Sequence, residues 1–234
     1  MTQLRRVELA PAWLLHSYPY RETSLIVEML TRDYGRVGMV ARGARARRRR
    51  GDPLQPFTPL RVSFRQRGEL ATLAAAEASG PGRRFTGKTF LAATYLNELI
   101  LRLLAREDPS PAVYRLYGEA LAALGDEPAT VVRRFEGRLI GALGFALPLT
   151  HDLGGTPLES DRCYRYDPDH GPMPAFDKQG YQGSMLAAIA AERFEDPAVL
   201  AAAGQIFREV ISWHLGGRRL KTLDVARSYF QRTD

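Results

Sequence analysis

Between residues 12 and 76 the apolar positions come in short runs, at 12–16, 24–31, 36–41, 60–64 and 70–76. Turn-forming residues separate them: Tyr18-Pro19, Asp33-Tyr34-Gly35 and Arg67-Gly68-Glu69. Short β-rich runs bounded in this way read as strands, and five of them predict a small closed barrel of the OB type. Past Gly80-Pro81-Gly82 the period changes. Phe90, Leu91, Tyr95, Leu96, Leu99, Ile100, Leu103 and Leu104 follow the spacing of an amphipathic helix, which opens a second, helical part. Val113 to Leu124 and Val131 to Leu143 repeat the pattern, with Pro111 and Pro128 near their starts. Gly137, Gly141 and Gly144 share the third helix and are expected to allow close helix contact.

Residues 150–183 lose periodicity and fill with Gly, Pro, Asp and Tyr, the composition of a long loop or small irregular subdomain. Helical spacing resumes at Met185 to Ala190 and at Leu200 to Leu215, where Gly216-Gly217 stops it. A last short helix is expected near 222–231. The fold expected is therefore α+β: a five-stranded OB-type barrel over 1–80, then a helical domain over 81–234 carrying an irregular, zinc-finger-like insert without zinc ligands at 150–183.

Charge changes this picture from a fold to a function. Residues 1–90 carry 17 Arg and Lys against 7 Asp and Glu, and residues 91–234 carry 16 against 19, so the net charge of +7 comes wholly from the N-terminal part. Only Lys88, Lys178 and Lys221 are lysines. Arginine's planar fork suits phosphate and base stacking better than a point charge does. Six of the arginines stand in nine residues, Arg42, Arg45, Arg47, Arg48, Arg49 and Arg50, a density no core can hold. With Arg36, Arg65 and Arg67, and with Arg61 beside them, they read as a DNA-binding surface that tracks a phosphate backbone. Trp13, Tyr18, Tyr20, Tyr34, Phe57 and Phe64 lie in the same stretch; most are expected in the core, the rest as stacking platforms for unpaired bases.

Chemistry elsewhere is sparse. The single cysteine, Cys163, leaves no disulfide framework, and a reducing, cytoplasmic setting is expected, nucleoid-associated when DNA is bound. No run of 18 apolar residues occurs. His151, Asp152, Asp161, Cys163, Asp167, Asp169 and His170 are the available metal ligands, and with three Cys or His among them no metal or other cofactor is expected. His16 and His214 sit in apolar patterns and read as packed residues. No nucleophile with a base partner stands out, so no enzyme activity is expected. The string Gly82-Arg83-Arg84-Phe85-Thr86-Gly87-Lys88-Thr89 satisfies the Walker A spelling, and a P-loop nucleotide-binding protein is the alternative function. Nothing downstream supplies the parallel strands or the metal-holding Asp that such a fold needs. A linker and a helix start capped by Thr86 or Thr89 is the plainer reading. An RNA-binding scaffold is the third class.

On the third helix, Arg133, Arg134, Phe135, Arg138, Leu139 and Leu143 combine guanidinium groups with apolar neighbours, which suits an acidic-hydrophobic peptide. The plain alternative is a solvated face whose arginines pair with Glu136 or Asp126.

Several ordered blocks carry a family resemblance: Leu15-His16-Ser17 with Tyr20-Arg21-Glu22-Thr23-Ser24-Leu25, Gly35-Arg36-Val37, Val40-Ala41-Arg42-Gly43-Ala44-Arg45 and Leu54-Gln55-Pro56-Phe57-Thr58-Pro59-Leu60. Tyr95-Leu96-Asn97-Glu98-Leu99, Arg133-Arg134-Phe135-Glu136, Gly141-Ala142-Leu143-Gly144-Phe145 and Leu215-Gly216-Gly217-Arg218-Arg219-Leu220-Lys221 follow in the same order. In these blocks the chain resembles the RecO family of bacterial DNA repair and recombination mediators along nearly its whole length. The resemblance implies an N-terminal OB-fold and binding of single- and double-stranded DNA. It also implies annealing of complementary strands and loading of RecA together with RecR. It further implies recognition of the acidic C-terminal tail of the single-strand-binding protein, with Arg133, Arg134, Phe135 and Leu139 as the peptide-binding residues. Some members carry a four-cysteine zinc motif in the irregular segment; with Cys163 alone, zinc does not carry over.

Overall fold

A computed structural model describes residues 4–46, 53–145, 147–176 and 179–230. Strand β1 (Arg5–Tyr20) is long enough to pair twice. Its first half runs antiparallel to β4 (Pro59–Gln66), from Arg5↔Gln66 to Trp13↔Pro59, and its second half antiparallel to β2 (Ser24–Thr31), from Ala12↔Thr31 to Tyr20↔Ser24. Register shifts at Val7/Ala10 and Leu14/His16 bend the strand between its two partners, with Leu9 at φ 51°. Such bulges turn a sheet through a corner. They also break the two-residue alternation, so the apolar run at 12–16 marks only part of a strand that starts at Arg5. β3 (Gly35–Ala41) pairs with β2, and β5 (Ala71–Ala78) pairs with β4. The parallel pairs Met39↔Ala71 and Val40↔Thr72 then join β3 to β5, so the order β1-β2-β3-β5-β4 closes on itself as a barrel. Val7, Leu14, Val27, Met29, Val37, Met39, Leu60, Val62 and Phe64 fill it.

Packing divides the chain into two units, Met1–Leu124 with Leu220–Asp234 and Gly125–Arg219. Strand gives way to helix near the expected 80/81 boundary, while α1 (Gly87–Leu103), α2 (Pro111–Ala123) and α6 (Lys221–Phe230) belong to the barrel's unit. Trp13 on β1 stands edge-on to Tyr117 of α2, ring centroids 5.6 Å apart. A Cβ on Gly118 would come within 3.4 Å of the indole, so α2 lies close to β1. Buried Asn97 of α1 donates to the Leu15 carbonyl at 2.8 Å and accepts from the Tyr117 hydroxyl. Three elements thereby share one satisfied polar centre.

Glu98, on the same helix, caps α6 from outside: its carboxylate accepts the Lys221 N–H at 2.9 Å, the Thr222 N–H at 2.8 Å and the Thr222 hydroxyl at 2.7 Å. An acid here satisfies orphan donors and opposes the positive end of the helix dipole.

In the second unit, α3 (Pro128–Ala142) packs on α5 (Pro197–His214), and α4 (Gly183–Ala190) packs on α5 as well. Val132, Phe135, Leu139 and Ile140 are buried on α3, as are Ala203, Ile206, Phe207 and Val210 on α5. Of the three glycines expected to give close contact, only Gly137 does so, where an added Cβ would lie 3.2 Å from Phe207. Gly141 faces open space, and Gly144, at φ 76°, follows the helix and ends it. Asp196 accepts the Ala198 N–H at 2.8 Å to start α5, and Gly216 and Gly217 stop it at φ 60° and 75°.

The segment expected to be irregular holds a three-stranded sheet, β7 (Gly171–Pro174), β6 (Cys163–Asp167) and β8 (Tyr181–Gln182), around buried Tyr164 and Tyr166. These strands are too short to show a period. Asp152 and Asp167 form turns: Asp152 accepts the Gly154 and Thr156 N–H groups, and Asp167 those of Asp169 and His170. No group of three or more potential metal ligands lies together among the described residues. No described helix is long and apolar enough to cross a membrane.

Glu98→Ala is expected to cost about 1–2 kcal/mol, the usual loss for a helix cap, and to free α6 first, read by amide exchange of residues 221–226. Burial acts to raise the Glu98 carboxyl pKa, but the hydrogen bonds from Thr222 and Lys221, with Arg102 nearby, hold it below its ordinary 4.5. A depressed acid stabilises above its unfolded pKa, so this contribution is complete above pH 4.5 and is lost as the pH falls below it. Acid titrations of the parent and Glu98→Gln proteins should therefore converge at low pH.

Candidate nucleic-acid interface

Barrel closure fixes which side chains share the outer face. Directly paired residues point to the same side of a sheet. Following the pairs Tyr18↔Ile26, Ile26↔Val40, Val40↔Thr72, Thr72↔Arg65 and Arg65↔Arg6 gives one row that crosses all five strands. Tyr18 is 47% exposed, Ile26, Val40 and Thr72 are half-buried, and Arg65 and Arg6 are exposed. The row thus runs from an aromatic ring across a shallow apolar floor to guanidinium groups.

Both ends carry more of the same chemistry. At the first, Arg21 at φ 52° in the β1–β2 turn places its guanidinium 5.2 Å from the Tyr20 ring, and His16 stands edge-on to Tyr18 at 4.3 Å. His16 is exposed here, not packed as its sequence setting suggests. The chain leaving β3 is tied to this turn by the Arg45 N–H, which donates to the Thr23 carbonyl at 2.9 Å. Arg42 and Arg45 are therefore held beside it, both exposed. Arg47, Arg48, Arg49 and Arg50 lie outside the described residues. At the far end, Arg67 stands exposed in the β4–β5 turn that follows Arg65 and Gln66. Arg6 pairs with Glu8 at 2.7 Å, whereas Arg42, Arg45, Arg65 and Arg67 meet no carboxylate among the described residues. Such cations can neutralise phosphate without first giving up a protein partner.

Arg36 must be removed from the predicted set. It is half-buried, donates to Glu28 at 2.8 Å and to the Leu104 carbonyl at 3.1 Å, and its own carbonyl accepts the Glu107 N–H. Glu28 is 3% exposed and pairs also with Arg106. This cluster ties the α1–α2 connection to β2 and β3, and a guanidinium so occupied is a structural group. Among the predicted aromatics, Trp13, Phe57 and Phe64 are buried, and Tyr34 packs edge-on to Phe64 at 5.7 Å. Tyr18 and Tyr20 remain for stacking.

The second predicted surface is rearranged more deeply. Phe135 and Leu139 are 1% and 0% exposed and belong to the core, because their side of α3 is the one turned to the second unit's interior. Arg133 is held over Gly204 of α5 and pairs with buried Glu136 at 2.9 Å. A cleft of about 360 Å³ nevertheless opens beside α3. Arg133, Arg134 and Arg138 line one side, and Leu149, Ile189, Phe194 and Phe207 are among its apolar lining. These apolar residues escape a reading of α3 alone, since they come from α4, α5 and the connections beside them. His214, expected to be packed, is exposed and stacks on Phe145 at 3.6 Å.

The Walker-like string does not form a phosphate loop. The Arg83 N–H donates to the Phe57 carbonyl at 3.1 Å, and Gly82 lies against Thr58. The Thr86 N–H donates to the Thr89 hydroxyl, which donates back to the Thr86 carbonyl, a helix start of the expected kind. Of the strands described beyond Thr89, β6 pairs antiparallel with both β7 and β8.

The N-terminal part is thus a closed five-stranded barrel whose outer row is edged by exposed arginines, and helices continue it. A family model described as Recombination protein O N terminal matches residues 6–81, and one described as Recombination protein O C terminal matches residues 84–224. The sequence is 43% identical over 223 residues to the DNA repair protein RecO of Alkalilimnicola ehrlichii, covering 93% of this chain and 90% of that protein. Against the DNA repair protein RecO of Nitrosococcus oceani it is 43% identical over 225 residues, covering 93% and 92%. Against that of Methylococcus capsulatus it is 42% identical over 229 residues, covering 95% and 94%. The chain belongs to the RecO family.

Arg36→Ala is expected to lower stability by about 2–3 kcal/mol, since it leaves buried Glu28 with one partner fewer. Arg65→Ala should leave the melting temperature unchanged. Thermal denaturation of the two variants side by side checks the division between structural and surface arginines.

Proposed function

We propose that this protein is a non-enzymatic DNA repair and recombination mediator, which binds single- and double-stranded DNA on its barrel and anneals complementary strands. Together with RecR it helps load RecA on DNA coated by the single-strand-binding protein, whose acidic C-terminal tail the second unit holds. The observation that carries the reading is the outer row of the barrel in a chain of the RecO family. A strand laid along it would meet a tyrosine face for stacking and exposed arginines at both ends for its phosphates. Annealing needs charge neutralisation of two strands and no bond chemistry, which exposed arginines can supply.

Binding of a labelled single-stranded oligonucleotide across a salt series tests this. Replacing Arg42, Arg45 and Arg65 together by Ala is expected to reduce the slope of log K against log salt by about 2, each phosphate left unneutralised being worth roughly 0.7. Replacing Arg47, Arg48, Arg49 and Arg50 by Ala should reduce it further. Unchanged affinity and slope in both variants would overturn the reading.

The cleft beside α3 supports the tail-binding half. An apolar floor with three arginines along one side suits a peptide that ends in an apolar residue and a free carboxylate after acidic ones. Replacing Arg134 and Arg138 together by Ala should weaken such a peptide about tenfold or more while sparing binding of naked DNA, read by parallel titrations. Equal loss of both would contradict a separate peptide site.

A further inference from the structure

The residue after the C-cap of α4 is a glutamate where helix geometry favours a glycine. Ala191 closes α4, the Glu192 N–H donates to the Ile189 carbonyl and the Arg193 N–H to the Ala188 carbonyl, both at 3.0 Å. This hydrogen-bond pair ends a helix with its next residue in the left-handed region, and Glu192 has φ 53°. A side chain there is strained. A carboxylate is doubly out of place, since it stands at the negative end of the α4 dipole. Local structure thus gives two reasons against Glu at this position.

What Glu192 gains lies across the cleft. Its Oε2 accepts from Arg134 Nε at 3.0 Å, and its two oxygens accept from Arg138 Nε and Nη2 at 2.7 Å each. The pairing with Arg138 is the bidentate fork geometry with which a guanidinium grips a carboxylate. The hydrogen bond from Arg138 holds the Glu192 carboxyl below its ordinary range, so it is ionised at neutral pH. All three residues line the cleft, and they are part-exposed, Arg134 at 39%, Arg138 at 47% and Glu192 at 31%. Ile189 and Phe194 of the lining flank Glu192 in the chain, so the same turn supplies both floor and acid.

We infer that Glu192 is an internal competitor: its carboxylate occupies the arginine fork that a peptide's terminal carboxylate takes, and it must yield that fork when an acidic peptide docks. This rests on the peptide-binding reading of the cleft and adds its regulation. The device sets a threshold. A single weak anion gains little by replacing an existing pair, while a ligand that also fills the apolar floor makes interactions that Glu192 cannot. The cleft is thereby biased against inorganic phosphate and stray acidic side chains.

The test is a fluorescence-anisotropy titration of the full chain with a labelled peptide of several aspartates followed by phenylalanine, with a free or an amidated C-terminus. Glu192→Gln and Glu192→Gly are compared with the parent and with Arg138→Ala. Both Glu192 variants are expected to bind the free-carboxylate peptide about two- to fivefold tighter, the scale of one part-exposed ion pair. The amidated peptide should gain less. Glycine suits the φ at this position, so a folding defect common to both variants is not expected. If neither Glu192 variant binds tighter while Arg138→Ala binds more weakly than the parent, the competitor role falls and the cleft reading stands. If Arg138→Ala binds as the parent does, the cleft reading itself falls.

Discussion

Two parallel residue pairs, Met39↔Ala71 and Val40↔Thr72, are what make the N-terminal sheet a barrel. Without them β3 and β5 would each end in an unpaired edge, and the outer residues of β2 and β3 would have no fixed relation to those of β4 and β1. With them the register is continuous, and a one-residue slip on any strand would turn its apolar set out of the core. The interface row is a by-product of this closure: packing Val27, Met39, Phe64 and Val7 inward obliges their neighbours Ile26, Val40, Arg65 and Arg6 to face out.

The long strand β1 makes the rest possible, since it pairs with β4 up to Trp13 and with β2 from Ala12 onward, and carries Trp13 and Leu15 toward the helices. Buried ions are used sparingly around this core. Glu28 is shared by Arg36 and Arg106, and Glu98 by the first turn of α6. Each holds a connection to the barrel or to α1 that apolar area alone leaves loose.

Much of this was legible in the residues. β2 appears where its apolar run lies, and Pro111, Pro128 and Gly216-Gly217 mark helix ends because fixed φ and the left-handed region act locally. The arginine surplus led to Arg42, Arg45, Arg65 and Arg67, which are exposed. What failed to show depended on partners distant in the chain. Arg36 looks like its neighbours until Glu28 and the Leu104 carbonyl are placed beside it. Phe135 and Leu139 share a helix with exposed arginines, and only the position of α5 decides which side is inside. Glu192 gave no signal, because its role comes from a turn geometry and two arginines more than fifty residues earlier. The strands of 163–182 were missed because two to five residues cannot display alternation.

The central claim is that a single strand lies along the outer row of the barrel. Backbone amide NMR of the isotopically labelled protein, titrated with a short oligothymidylate at low salt, tests it most directly. The account predicts the largest shifts at Tyr18, Ile26, Val40, Arg42, Arg65 and Thr72, with α3 and α5 little changed. Shifts confined to residues 125–219, with the barrel row unmoved, would contradict it.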